Sequence, residues 1–99
     1  MAGVPVETAD ADDAARAVAD ATAFLAARGI PPTAREFRLR QEFFRHGWDV
    51  RVRDEAGRWT VRAVKPGRAD AAAEGTIEGA ALRLALAAAI GADEATGTP

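Results

Sequence analysis

The sequence predicts a small two-layer α+β domain in the order helix, helix, antiparallel hairpin, helix. Three observations carry this. From Trp48 to Val64 apolar and polar residues alternate on both sides of a short turn, which is the period of half-buried strands. Two Ala-rich stretches, about Asp10 to Arg28 and Ile77 to Ile90, repeat apolar residues at helical spacing instead. A chain of 99 residues is one domain's worth of core.

In chain order, residues 1–8 read as a flexible leader and 9–91 as the domain. The first helix has Thr8 or Asp10 as its cap and acids in its first turn, where the helix dipole favours them. Ala14, Val18, Ala21 and Leu25 make its buried stripe, flanked by Ala17 and Phe24. Gly29 ends it, with Ile30 placed to cover the last turn, and Pro31-Pro32 forces a break. Thr33-Ala34-Arg35-Glu36 is a capping-box pattern, so 34–46 reads as a second helix. The competing reading of 34–46 is a strand, because Phe37 and Leu39 alternate with Arg38 and Arg40; it would make three strands of two.

In the hairpin, Trp48, Val50 and Val52 share a face with Trp59, Val61 and Ala63. Asp54-Glu55-Ala56-Gly57 reads as a four-residue loop, which sets Arg53 opposite Arg58 and Val52 opposite Trp59. Ala69 to Gly75 reads as a small-residue linker. Thr76 caps the closing helix, Gly91 ends it, and 92–99 reads as a disordered tail.

Large apolar side chains are few, so nearly all of them must be buried. The closing helix carries two stripes: Ile77, Ala81, Leu84 and Ala88 on one side, and Leu82, Leu86, Ala89 and Ile90 on the other. A helix apolar all round lies between two layers or against a second subunit. The sequence therefore nominates Leu82, Leu86 and Ile90 as a homodimer interface, with Arg83 reaching Glu78 of the second copy.

Charge is segregated. Through residue 27 five acids face Arg16 alone. From 28 to 68 eleven bases face five acids, and beyond that five acids again face one Arg. Such blocks mark binding surfaces. Arg51, Arg53, Arg58 and Arg62 share the outer face of the hairpin, and Arg38 and Arg45 extend the basic region from the second helix. Arg53 against Arg58 is a like-charge cross-strand pair, which a bound anion relieves. A solvated strand face, its Arg stems lying over apolar surface, is the plainer explanation.

Composition narrows the chemistry. Cys, Ser and Tyr are absent and His46 is the only His, so the sequence nominates no catalytic residue, no metal site and no cofactor. No apolar run is long enough to span a membrane, and a cytoplasmic, non-enzymatic protein is expected.

Residues 47–90 resemble the phage ABA-sandwich domain family. The resemblance rests on Gly47-Trp48-Asp49-Val50, Arg58-Trp59-Thr60-Val61-Arg62-Ala63 and the helix opening Thr76-Ile77-Glu78-Gly79-Ala80-Ala81-Leu82. It implies a small phage accessory or inhibitor protein and transfers no functional residue. The expected function is thus a binding module whose Arg-rich hairpin face contacts an anionic partner, either nucleic acid or an acidic protein surface. The alternative is a self-associating structural subunit without a ligand.

Overall fold

Helix α1 spans Val6–Ala26. The computed structural model describes residues 6–97, with side chains placed for 12–96. Most of the expected leader, residues 1–5, and the last two residues of the expected tail lie outside the described residues. α1 already includes Thr8 and Asp10, so neither caps it. Its end is as expected. Gly29 takes φ 87°, its N–H donates to the Ala26 carbonyl (3.1 Å), and the Ile30 N–H donates to that of Leu25 (3.0 Å). This double closure satisfies two otherwise orphaned carbonyls, and Ile30 and Leu25 are both buried.

Residues Glu36–Arg45 form helix α2, not a strand. The capping box does not form: Arg35 stands at the N-cap and no side chain bonds there. The loop is tied from elsewhere, because Arg83 donates to the carbonyls of Pro32 (2.7 Å) and Ala34 (2.6 Å). Tertiary contact sets this helix start, not local capping. The C-terminus closes like that of α1. Gly47 lies at φ 83°, and Gly47 and Trp48 donate to the carbonyls of Phe44 and Phe43.

Strands β1 (Asp49–Glu55) and β2 (Arg58–Val64) pair antiparallel. Their loop has two residues, not the expected four: Ala56 (φ 54°) and Gly57 (φ 80°). Both are in the left-handed region, as a type I′ turn requires, and its twist matches that of the strands. The pairing therefore differs by two residues from the expected one. Val52 faces Val61, Arg53 faces Thr60, Glu55 faces Arg58, and Arg51 faces Arg62. A shift of two leaves every side chain on its expected face, since side chains alternate with period two. Only the partners change.

Strand β3, Ala71–Gly75, pairs with the other edge of β2. The sequence reads this segment as a small-residue linker, and Ala and Gly have low strand propensity. Its pairing to β2 overrides that, and its small side chains admit the closing helix close to the sheet. The three-stranded sheet thus draws its third strand from 71–75 and not from 34–46.

Helix α3 spans Glu78–Gly97 and packs on α1, α2, β2 and β3. It starts two residues after Thr76 and runs through Gly91, so residues 92–97 of the expected tail are its last turns. Ala81, Leu82, Ala85, Leu86, Ala89 and Ile90 are buried along it. The nominated interface residues Leu82, Leu86 and Ile90 are therefore core, covered within one chain, and the dimer built on them does not stand. Arg83, likewise, bonds the α1–α2 loop of its own chain, and Glu78 pairs with Arg40 of α2. Around α3 the core gathers Leu25, Leu39, Phe43, Trp48 and Val61. All three helices lie on the inner face of the sheet. Trp48 is fully buried, whereas Trp59 is only half-buried.

Candidate functional site

The helices leave the outer face of the sheet to solvent. Alternation brings Asp49, Arg51, Arg53 and Glu55 of β1 to that face. Beside them stand Arg58, Thr60, Arg62 and Val64 of β2, then Ala72 and Glu74 of β3. The four nominated Arg residues of the hairpin are together here, but they are not equivalent. Arg58 donates twice to Glu74, at 3.1 and 2.5 Å. Arg62 is held by Asp70, with Nε at 2.8 Å. Arg53 stands 4.0 Å from Glu55, a loose and exposed pair that contributes little. Arg51 has no ion pair or hydrogen bond to any described residue, and it lies directly opposite Arg62.

The like-charge pair expected at Arg53 and Arg58 thus falls at Arg51 and Arg62. Arg51, Arg53, Thr60, Arg62 and Val64 line a shallow depression of about 530 Å³. No carboxylate lines it. Three guanidinium groups and one hydroxyl supply donors, and an oxyanion there shares Arg62 with Asp70 and Arg53 with Glu55.

Arg38 and Arg45, the other two nominated residues, do not join this face. Both turn to Glu42, a buried carboxylate only 5 % exposed, with N···O distances of 3.0 and 3.2 Å. His46 Nε2 stands 3.9 Å from its other oxygen. A buried carboxylate needs such partners, so these two side chains serve the fold. The cleft beside them, about 430 Å³, is completed by Arg28, Gly29 and Ile30.

Two features escaped sequence reasoning. Asp93, placed in the expected tail, accepts from Trp48 Nε1 (3.0 Å), Lys65 Nζ (3.1 Å) and Arg68 Nε (3.1 Å). Burial works to raise its carboxyl; the hydrogen bonds from Trp48, Lys65 and Arg68 outweigh it and hold the group below its ordinary value. No local pattern announces this, because the helix-weakening Gly91 precedes it. The second feature is Phe37 and Phe44, 73 % and 59 % exposed on α2. Their seven-residue spacing, opposite the buried Leu39 and Phe43, is the signal that separates them from the core.

Among the described residues no group of three or more His, Cys, Asp or Glu could hold a metal ion, and no helix is long and apolar enough to cross a membrane. Compared with family models, curated proteins and solved structures, the chain matches none.

Proposed function

We propose that the protein is a non-enzymatic binding module whose outer sheet face takes an anionic partner, through Arg51, Arg53 and Arg62. One observation carries the reading: Arg51 pairs with no acid among the described residues and is set directly across from Arg62. Like charges opposed on a ladder destabilise it, and a carboxylate or phosphate between them turns that cost into attraction. Thr60, between Arg53 and Glu74 in the ladder, adds a neutral donor at the floor of the depression. The resemblance of 47–90 to phage ABA-sandwich domains adds an accessory or inhibitor setting to this reading.

Arg51→Glu tests it, because function and stability should move in opposite directions. The variant converts an Arg–Arg cross-strand pair into Glu–Arg, so thermal melting should rise slightly, by a few tenths of a kcal/mol. Binding of a labelled acidic peptide or oligonucleotide, titrated at two salt concentrations, should fall about tenfold or more. For nucleic acid, three phosphate contacts predict a log–log salt slope of about −2. A variant that melts higher yet binds unchanged removes Arg51 from the site. Failure of every anionic probe to bind the wild type at low salt removes the reading altogether.

A further inference from the structure

We infer that the anionic partner is an extended protein segment that adds as a fourth strand to the free edge of β1, carrying acids opposite Arg51 and Arg53. The inference rests on the Arg face being the binding surface and names what occupies it. β1 is an edge strand, since the sheet order is β1-β2-β3. Among the described residues, no hydrogen bond outside the β1–β2 ladder reaches the backbone of Asp49–Glu55. The two-residue turn closes on Glu55 and Arg58, which makes that pair hydrogen-bonded and fixes the alternation along the ladder. Arg53, Arg51 and Asp49 therefore bond inward to β2. Val50, Val52 and Asp54 direct their N–H and C=O groups outward. Three consecutive sets of backbone donors and acceptors stand ready for an added strand.

Side chains say which strand. On the outer face β1 reads acid, base, base, acid: Asp49, Arg51, Arg53, Glu55. On the inner face Val50 and Val52 are only half-buried, though packed against the core. The complementary segment has acids at two alternate central positions, apolar residues between and beside them, and neutral or basic ends. The opposite edge, β3, does not compete for it. That strand is two residues shorter and presents Glu74, with Asp70 at its start. A second copy of β1 does not fit over the full strand: paired antiparallel about Val52, it sets Arg51 against Arg53 and Asp49 against Glu55, like against like at each outer position. The interleaved acids of this face also count against nucleic acid. Asp49, Glu55, Asp70 and Glu74 surround the three Arg residues, and both Trp side chains lie on the inner side, so the face offers no base-stacking platform.

The probe is an acetylated, amidated heptapeptide, Thr-Val-Glu-Val-Glu-Val-Thr. Set antiparallel about Val52, it places its acids opposite Arg51 and Arg53. Its controls are the same composition as Thr-Glu-Val-Val-Val-Glu-Thr, the first peptide N-methylated at its central Val, and an oligothymidylate. Binding to the full chain is read by anisotropy, and by amide exchange at single residues. The alternating peptide should bind at least about tenfold more tightly than either peptide control and should slow exchange at Val50, Val52 and Asp54. Arg51→Glu should remove that preference while the fold holds. Equal binding of the alternating and reordered peptides overturns the added strand and leaves the anion-binding face standing. So does binding of oligothymidylate without slowed exchange at those three amides. If no probe binds at low salt, the strand and the face fall together.

Discussion

At the scale of single residues, the sharpest division is between charges that serve the fold and charges that remain available. Asp93 belongs to the first kind, and its carboxylate ties the end of α3 to Trp48, Lys65 and Arg68. Asp93→Ala should cost about 1–3 kcal/mol, the penalty for leaving the buried Trp48 N–H and two half-buried cations without their acceptor, measured by denaturant unfolding at neutral pH. The sign with pH follows from the lowered carboxyl. A group depressed in the folded state stabilises above its unfolded pKa, and this contribution is lost as pH falls through the folded value. The wild type should therefore shed stability below about pH 4, where an unfolded Asp protonates. Asp93→Asn, with no such proton to take up, should fall less steeply over that window. Identical slopes for the two proteins would remove Asp93 from the linkage. Arg51 is the opposite kind, exposed and opposed by a like charge, and a residue that costs the fold something is the natural place to look for a partner.

At the scale of elements, the hairpin turn sets the cross-strand partners. Ala56 at φ 54° occupies a left-handed conformation that costs an L side chain roughly 1 kcal/mol. Asn tolerates it better, and Asn-Gly is the favoured type I′ pair. Ala56→Asn should thus raise stability by about 0.5–1 kcal/mol and leave the pairing of Arg51 with Arg62 unchanged. A thermal melt checks the first expectation; backbone amide contacts by NMR check the second. No gain would mean that Ala56 bears no strain. A change of partners would show that the turn does not set the register. The same geometry decides which backbone groups of β1 face outward, so the turn also positions the proposed strand-docking edge.

At the scale of the whole molecule, α3 is the element that everything else covers. Leu86 is fully buried on it, between the sheet and the other helices. Leu86→Glu should abolish cooperative unfolding, since an unpaired buried carboxylate exceeds the stability of a domain this size. Leu86→Ala should retain the fold at a cost of about 2–5 kcal/mol. Circular dichroism on heating distinguishes the two. A soluble, folded Leu86→Glu protein whose assembly state alone had changed would restore the interface role that burial denies it.

The sequence by itself determined the first and last helices, the hairpin, and the side chains on each face of that hairpin. Helical and strand periods are local properties, legible wherever one side of an element is apolar. It also located the helix ends at Gly29 and Gly47, because only a residue free to adopt positive φ closes them without strain. What escaped it depended on partners distant along the chain. β3 is a strand because β2 has a second edge to pair, and α3 outlasts Gly91 because Asp93 meets Trp48. Leu82 and Leu86 are core because the rest of the fold closes over a stripe that the helix alone would leave bare. Of six nominated Arg residues, the pattern could place four on one face, but it could not assign their partners. That assignment belongs to tertiary structure: Glu42 claims Arg38 and Arg45, Glu74 and Asp70 hold Arg58 and Arg62, and Arg51 is left facing Arg62 without an acid among the described residues.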